Sequence, residues 1–333
     1  MKDAIMTASN IDFLPPLWMR PAMVQTGLAS LKFRGRGQSA LELNSHEEIL
    51  TTAASVRLKI VTTDHQDEGH NEQNRPVIIF IHGWEGSSDS TYVVAASRRV
   101  YAQGCSVVRL NLRDHGETHG LNEGAFFATL FDEVFDAVSI ICQRYKNRPV
   151  LLVGFSLGGN YVLRTARQLV KTPIDNLARL IAISPVIDPP SSNPSLDDSQ
   201  LIKAYFLKKW RRSMRLKQAA FPQLYNFDDV IGMDNIMEMT EILIARYTDY
   251  PNAMAYFAAY AVGANDVKDC PAPLTIIAAQ DDPVVPMEMC KSLVLSPQSQ
   301  LLMWPHGGHN GFFQSLSGPT GYDDVIADII RML

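Results

Sequence analysis

Short, unbroken apolar runs recur along most of the chain, and stretches with helical spacing separate them. Val77 to Ile81 reads Val-Ile-Ile-Phe-Ile and is closed by Gly83, the pattern of a strand buried on both faces of a parallel sheet. Ser106 to Leu112, Pro149 to Gly154, Leu180 to Ser184, Leu274 to Ala279 and Gln300 to Trp304 repeat it. Thr91 to Gln103, Phe126 to Arg144, Leu157 to Val170, Met287 to Leu295 and Tyr322 to Leu333 carry apolar residues three or four apart, as one face of a helix requires. This alternation predicts an α/β protein with a doubly wound, mostly parallel sheet.

Two regions depart from the rhythm. Before Pro76, Phe13 to Thr26 is irregular and rich in proline, Thr26 to Phe33, Glu48 to Thr52 and Ser55 to Thr63 read as early strands, and Asp64 to Arg75 reads as a polar loop. Later, the 80 residues from Asp188 to Val267 stand where one helix would suffice. They open on the breaker-rich Asp-Pro-Pro-Ser-Ser-Asn-Pro and contain three helical stretches, Leu201 to Ala219, Asn235 to Tyr247 and Asn252 to Val262. The expected organisation is an N-terminal arm with the first strands (1–75), the first part of a core (76–187), a helical cap insertion (188–267) and the rest of the core (268–333).

Composition narrows the function. Of 333 residues, 46% are apolar, enough for a large core and too many for a disordered chain. Thirty basic against 35 acidic side chains leave a net charge of −5, with no global positive field to grip nucleic acid. Cys105, Cys142, Cys270 and Cys290 lie too far apart for a metal-ligand or redox pair and fit reduced thiols that pack in the interior. Met1 to Asn10 lacks the apolar core of a secretory signal, and no apolar run is long enough to span a bilayer. A soluble, cytoplasmic protein is expected.

The chemistry centres on Gly154-Phe155-Ser156-Leu157-Gly158, between an apolar strand and a helical stretch. This is the nucleophile elbow in its strand-turn-helix setting, where glycines leave room for the turn that lifts the serine hydroxyl above the sheet. Serine needs an imidazole base held by a carboxylate, and on such a sheet they follow in the order Ser, Asp or Glu, His. Asp281 and Asp282 stand at the end of one core strand, and His306 and His309 follow the last. Asp282 and His309 are the preferred pair, with Asp281 and His306 as their rivals. Oxyanion donors are expected from the amide of Leu157, just after the serine, and from Trp84 in His82-Gly83-Trp84-Glu85-Gly86-Ser87.

With these motifs assembled, the chain from Pro76 to Leu333 resembles an α/β-hydrolase, and in particular is similar to the YheT-like esterase branch. The likeness rests on Gln25-Thr26 after the proline-rich arm, His82 to Ser87, Asn111-Leu112-Arg113-Asp114-His115-Gly116, the elbow followed by Gly159, Asp281-Asp282-Pro283, and Gly307-Gly308-His309-Asn310-Gly311-Phe312. It implies the α/β-hydrolase fold, a triad of Ser156, Asp282 and His309, no metal or other cofactor, and hydrolysis of carboxylic esters such as acyl esters or lipids. The chain departs from the branch at Pro21-Ala22-Met23-Val24, where many relatives carry Pro-His before Leu-Gln-Thr, and at Trp84, where leucine is common. The same triad serves thioesterases and acyltransferases, and the fold also supports non-catalytic ligand binding.

Other signals have plainer readings. His115-Gly116-Glu117-Thr118-His119 lacks the His-Glu adjacency of a zinc helix, and Arg113, Asp114 and His115 are expected to brace a loop beside the catalytic groove. Lys203, Lys208, Lys209, Arg211, Arg212, Arg215 and Lys217 alternate with Tyr205, Phe206 and Trp210 in the cap. That pattern fits a solvated cap helix, with peripheral contact to an anionic membrane as the alternative. Met233, Met237, Met239, Met254, Tyr256 and Phe257 fit an adaptable pocket wall or ordinary core. A small acyl ester is the expected partner, and the oligomeric state stays open.

Overall fold

The structure is a computed structural model that describes residues 13–31, 37, 39–65 and 75–333. Met1 to Asn10, and most of the polar stretch between Asp64 and Arg75, lie outside the described residues. In chain order the elements are α1 (Ala22–Ser30), α2 (Ala40–Leu43), β1 (His46–Thr51), β2 (Arg57–Thr63), β3 (Val77–Ile81), α3 (Thr91–Tyr101), β4 (Ser106–Leu110), α4 (Phe131–Arg144), β5 (Val150–Phe155), α5 (Leu157–Leu169) and β6 (Leu177–Ile183). There follow α6 (Pro189–Ser192), α7 (Gln200–Ala220), α8 (Asp228–Ile231), α9 (Ile236–Tyr247), α10 (Ala253–Ala259), β7 (Leu274–Ala279), α11 (Met287–Lys291), β8 (Gln300–Trp304) and α12 (Gly321–Arg331).

The eight strands form one sheet in the order β1-β2-β4-β3-β5-β6-β7-β8, with antiparallel pairing at β1-β2 and β2-β4 and parallel pairing elsewhere. Its central strands are apolar at every position because helices cover both faces. Val77, Ile79 and Ile81 of β3 pack with α4 and α5 residues such as Val134 and Val162, whereas Ile78 and Phe80 pack with Val93 of α3 and Ile326 of α12. Chain order reverses around β3, and in open α/β sheets the crevice at such a switch point, outside the carboxyl ends of the strands, is where ligands bind.

Three boundaries depart most from the sequence expectation. Thr26 to Phe33 is not a strand. Residues 26–30 belong to α1, whose buried Gln25 and Ala29, four apart, turn inward together; residues 32 and 33 lie outside the described residues. The helical pattern from Phe126 begins only at Phe131, because the Phe126 amide donates to Asp114 Oδ2 at 2.8 Å and the Ala128 amide to Tyr256 Oη at 2.9 Å. Similarly, α11 ends at Lys291, short of Leu295. Asn235 and Asn252 cap α9 and α10, accepting from the amides of Glu238 and Ala255 at 2.8 Å.

Five helices, α6 to α10, lie in the interval between β6 and β7, and residues of α7, α9 and α10 border the space above the sheet at Ser156. The longest, α7, is tied to the core by Lys217. Its ammonium donates to Asp114 Oδ1 at 3.0 Å and to the carbonyls of Asn122, Gly124 and His119 at 2.7, 3.0 and 3.4 Å. Of the seven basic residues on α7, five bond within the protein: besides Lys217, Lys203 and Arg211 reach Asp234, Arg212 reaches Glu117, and Lys209 reaches the Glu85 carbonyl. Among the described residues no helix is long and apolar enough to cross a membrane.

Candidate active site

β5 ends at Phe155 and α5 begins at Leu157, so Ser156 alone makes the turn, at φ 55° and ψ −113°. Such backbone strain in a non-glycine residue costs about 1–3 kcal/mol and persists only where its surroundings over-determine it. Here the Ser156 amide donates to the Ile183 carbonyl at 2.9 Å, and its carbonyl accepts from the amides of Asn160 and Val186 at 3.0 and 3.3 Å. The flanking glycines permit the close crossing. A Cβ on Gly154 would lie 2.1 Å from the Gly158 carbonyl oxygen, and one on Gly158 would lie 2.3 Å from that of Ile81.

Above the strand ends, His309 Nε2 lies 2.9 Å from Ser156 Oγ, and His309 Nδ1 lies 2.9 and 3.1 Å from the two oxygens of Asp282. A carboxylate only accepts hydrogen bonds, so Nδ1 carries the ring proton and Nε2 is left to accept from the serine hydroxyl. The Asp282 and His309 side chains are 3% and 8% exposed, which strengthens their attraction by removing water. Asp282 Oδ1 also accepts from the amides of Val284 and Val285 at 2.8 and 3.0 Å. The rival residues sort into a separate, more exposed pair: Asp281 Oδ2 lies 3.6 Å from His306 Nδ1, and Asp281 Oδ1 accepts from the Gly308 amide at 2.9 Å.

The histidine loop is held from the far end of the chain. The His309 amide donates to Thr26 Oγ1 at 2.9 Å, and the Asn310 amide donates to Ser184 Oγ at 3.2 Å. Gln25, fully buried, donates to the carbonyls of Met19 and Phe313, each at 3.0 Å, and accepts from the Phe313 amide at 2.7 Å. From the sequence, Thr26 is expected to open a strand, and Gln25-Thr26 otherwise figures only among the residues of the family resemblance. The signal that could have assigned them a helix is Pro21 just before Ala22, a common helix start.

Two neutral histidines brace the loop after β3. His82 Nδ1 donates to the Gly83 carbonyl at 2.7 Å while its Nε2 accepts from the Leu112 amide at 3.1 Å. His115 Nδ1 donates to the Arg113 carbonyl at 2.6 Å while its Nε2 accepts from the Glu85 amide at 3.1 Å. Burial holds the His82 imidazole well below its ordinary pKa and lowers that of His115 to about 4. Trp84 sits between these fixed points. Neither its amide nor that of Leu157 donates to a backbone carbonyl among the described residues, and both residues border the cavity at Ser156. Leu157 is also the first residue of α5, where amides lack helical partners.

Trp84 joins this loop to α7. Its ring stacks on Phe206 at 5.1 Å and meets Trp210 edge-on at 5.2 Å, contacts that an aliphatic side chain could not make. Glu85, left-handed at φ 55°, bonds through its carboxyl to Ser213 of α7, and burial pushes that carboxyl up to about 7. His119 Nε2 lies 2.7 Å from the same Ser213 Oγ, so His115 and His119 serve different partners. Among the described residues no group of three or more metal-ligating side chains gathers. The four cysteines are free and buried, and burial pushes the thiols of Cys105, Cys142 and Cys290 up to about 12, far from reactive thiolates.

A serine on a strained elbow, an imidazole within hydrogen-bond reach and a carboxylate behind it, all at the carboxyl ends of a doubly wound sheet, define a hydrolase-type site. The chain belongs to the alpha/beta hydrolase family, whose model matches residues 78–320. It is similar to the Escherichia coli (strain K12) protein named "Putative esterase YheT", 25% identical across 93% of this chain and 89% of that one. It is also similar to a Saccharomyces cerevisiae monoacylglycerol lipase, 22% identical across 79% of this chain and 60% of that longer one. In fold it matches a solved Pyrococcus furiosus esterase, Pf2001, with a TM-score of 0.54 and 14% identity over 89% of this chain and 94% of that one.

Proposed function

We propose that this protein is a serine hydrolase that cleaves carboxylic esters through an acyl-enzyme, with Ser156 as nucleophile, His309 as base and Asp282 as its orienting carboxylate. The observation that carries the reading is the unbroken hydrogen-bonded line from Ser156 Oγ through both nitrogens of His309 to Asp282, each step about 2.9 Å. The names of the relatives, an esterase and a lipase, support the same class of substrate.

In this mechanism His309 Nε2 takes the hydroxyl proton as Ser156 Oγ attacks the ester carbonyl, and Asp282 stabilises the imidazolium. The amides of Trp84 and Leu157 receive the charge that develops on the carbonyl oxygen. An oxyanion donor of this kind contributes about 3–4 kcal/mol to barrier lowering. His82 and His115 act as positioning residues, since neutral rings that bond on both sides of Trp84 hold the loop without adding charge. Collapse of the intermediate passes the proton from His309 to the departing alcohol, and water then releases the acid by the same route.

We further read residues 188–267 as a cap on this site and the cytoplasm as its location, the latter supported by four unpaired, buried cysteines. The test of function is labelling with a fluorophosphonate together with hydrolysis of an activated ester. Wild type should be labelled, and Ser156→Ala should lose both labelling and, by several orders of magnitude, kcat. Full activity in Ser156→Ala would reassign the nucleophile. Labelling without ester hydrolysis, but with thioester cleavage or transfer to alcohols, would move the chemistry to those neighbouring reactions.

A further inference from the structure

From Gly83 to Gly86, the turn after β3 is held at every backbone amide but one. The Gly83 amide donates to Tyr92 Oη at 3.0 Å, the Glu85 amide to His115 Nε2 at 3.1 Å and the Gly86 amide to the Gly83 carbonyl at 2.9 Å. Among the described residues the Trp84 amide has no acceptor. The carbonyl of the same peptide unit, that of Gly83, accepts from His82 Nδ1 at 2.7 Å as well as from Gly86. A trans peptide turns its N–H away from its C=O, so whatever keeps this turn closed also aims the free N–H.

Glu85 is the unexpected residue in the turn. Its backbone is left-handed at φ 55°, in the third position, where glycine or asparagine is ordinarily found because other side chains are strained there. Each of its polar groups is nevertheless engaged. The amide rests on His115, the carbonyl accepts from Lys209 Nζ at 3.0 Å, and the carboxyl bonds to Ser213. Lys209 and Ser213 lie on α7 with Phe206 and Trp210, the two rings that pack on Trp84. Positions 206, 209, 210 and 213 have the spacing of one helix face. The Ser213 hydroxyl also lies 2.7 Å from His119 Nε2, so the loop after β4 meets the same face.

On the serine-hydrolase reading above, in which the Trp84 amide receives the oxyanion, we infer that Glu85 is a positioning residue of the reaction: its carboxyl, through Ser213, seats the turn on α7 and holds the Trp84 N–H for the oxyanion. The helix α7 is then part of the catalytic apparatus as well as a cover over the cavity. The effect belongs to the transition state, since the carbonyl oxygen draws fully on this donor only once charge has developed on it. A neutral carboxyl suits the task, because Glu85 borders the cavity at Ser156 and a carboxylate there would set a like charge near the oxyanion. Burial above all, with Asp114, favours the neutral form against Lys209, Ser213 and Arg212, and raises the carboxyl to about 7. His115 and His119, held at about 4, face it uncharged.

The test compares Glu85→Gly, Glu85→Gln, Ser213→Ala and the Glu85→Gly, Ser213→Ala double variant with wild type, all in the full chain. The substrate is an activated ester and the probe a trifluoromethyl ketone. Ser156 Oγ adds to the ketone carbon, the hydroxyl proton passes to His309 Nε2, and the carbonyl oxygen becomes the oxyanion. Glu85→Gly keeps the backbone partners and relieves the left-handed strain, so a side chain with only a structural role predicts no loss. Removing an oxyanion donor outright costs about 10²–10³ in kcat, and misplacing one should cost about tenfold. Glu85→Gly and Ser213→Ala should each show that tenfold loss in kcat with KM in place. The ketone should weaken by the same factor, while an unreactive ether analogue of the ester binds as before. Glu85→Gln, with the shape and neutrality of the protonated acid, should retain the rate below pH 7. The double variant should be no worse than either single one, as expected of residues that act through one bond.

Wild-type kcat and ketone affinity in Glu85→Gly would overturn the proposal. So would losses that multiply in the double variant, because Glu85 and Ser213 would then act separately. Fluorophosphonate labelling of wild type runs beside each assay. Absence of labelling overturns the serine-hydrolase reading itself, whereas normal labelling with unchanged variants overturns only the role of Glu85.

Discussion

The amide of His309 donates to the hydroxyl of Thr26 at 2.9 Å, across 283 residues of chain. Thr26 in turn donates that hydroxyl to the Ala22 carbonyl at 2.8 Å, so the backbone beneath the imidazole is seated on α1. The turn is too crowded for alternatives: a Cβ on Gly308 would lie 2.5 Å from the Ala22 carbonyl oxygen and 2.7 Å from Thr26 Oγ1. Thr26→Val keeps the shape and removes the acceptor. It should lower kcat about tenfold, with KM little changed and Thr26→Ser largely restoring the rate. If the valine variant turns over at the wild-type rate, the loop is held by its other contacts.

The two aspartates after β7 should separate by kinetics. Asp282→Asn leaves His309 in the wrong tautomer and should reduce kcat by about 10³–10⁴. Asp281→Asn weakens one bond to the Gly308 amide and the longer contact to His306, and should stay within about tenfold of wild type. Equal losses in both would place the orienting role on the wrong carboxylate.

Lys217 and Asp114 form a buried pair with side chains 3% and 6% exposed. Replacing one partner strands the other charge in the interior, which typically costs 3–5 kcal/mol, whereas replacing both with apolar groups costs far less. Urea unfolding should therefore show Lys217→Met destabilised by about 3 kcal/mol, and Lys217→Met with Asp114→Leu closer to wild type. Additive losses would mean that the carbonyls around Lys217, rather than its charge partner, dominate.

Stability should fall in acid. Burial holds His115 and His119 at about 4, below the ordinary 6.5, and depresses His82 in the same direction. Between these values the unfolded chain binds more protons than the native one, so the stabilisation is present above pH 6.5 and lost as the pH drops towards 4. Each such histidine contributes a slope of about 1.4 kcal/mol per pH unit within its window. Glu85 works against them: its carboxyl, raised from 4.5 to about 7, favours the native state at low pH and loses that effect as the pH rises through 7. Unfolding free energies measured from pH 7 to 4.5 should decline, and Glu85→Gln should steepen the decline. A flat profile in both proteins would contradict the neutral histidines beside Trp84.

Much of the scaffold was legible before any coordinates. The period of the apolar runs located six of the eight strands as a parallel set, and Asn235 and Asn252 marked helix starts through the hydrogen bonds their short side chains make. The elbow was legible for a steric reason, since only glycine tolerates the crossings at 154 and 158. The order of Ser156, an aspartate and His309 matched the chain order expected after a nucleophile elbow, and both candidates stand at the carboxyl ends of core strands. Less legible was α1, because its helix depends on docking Gln25 and Ala29 against the loop around Phe313 rather than on its own periodicity.

What the chain determines by itself is whatever arises from neighbours in sequence: strand and helix periods, turn sterics, caps, and which residue types stand at strand ends. The tertiary structure placed Asp282, the aspartate preferred from the sequence, against His309, and it alone decided that Thr26 seats that histidine's backbone and that two cavities border Ser156. These depend on distances of a few ångströms between segments far apart in the chain, and such distances are set by the joint packing of the whole core.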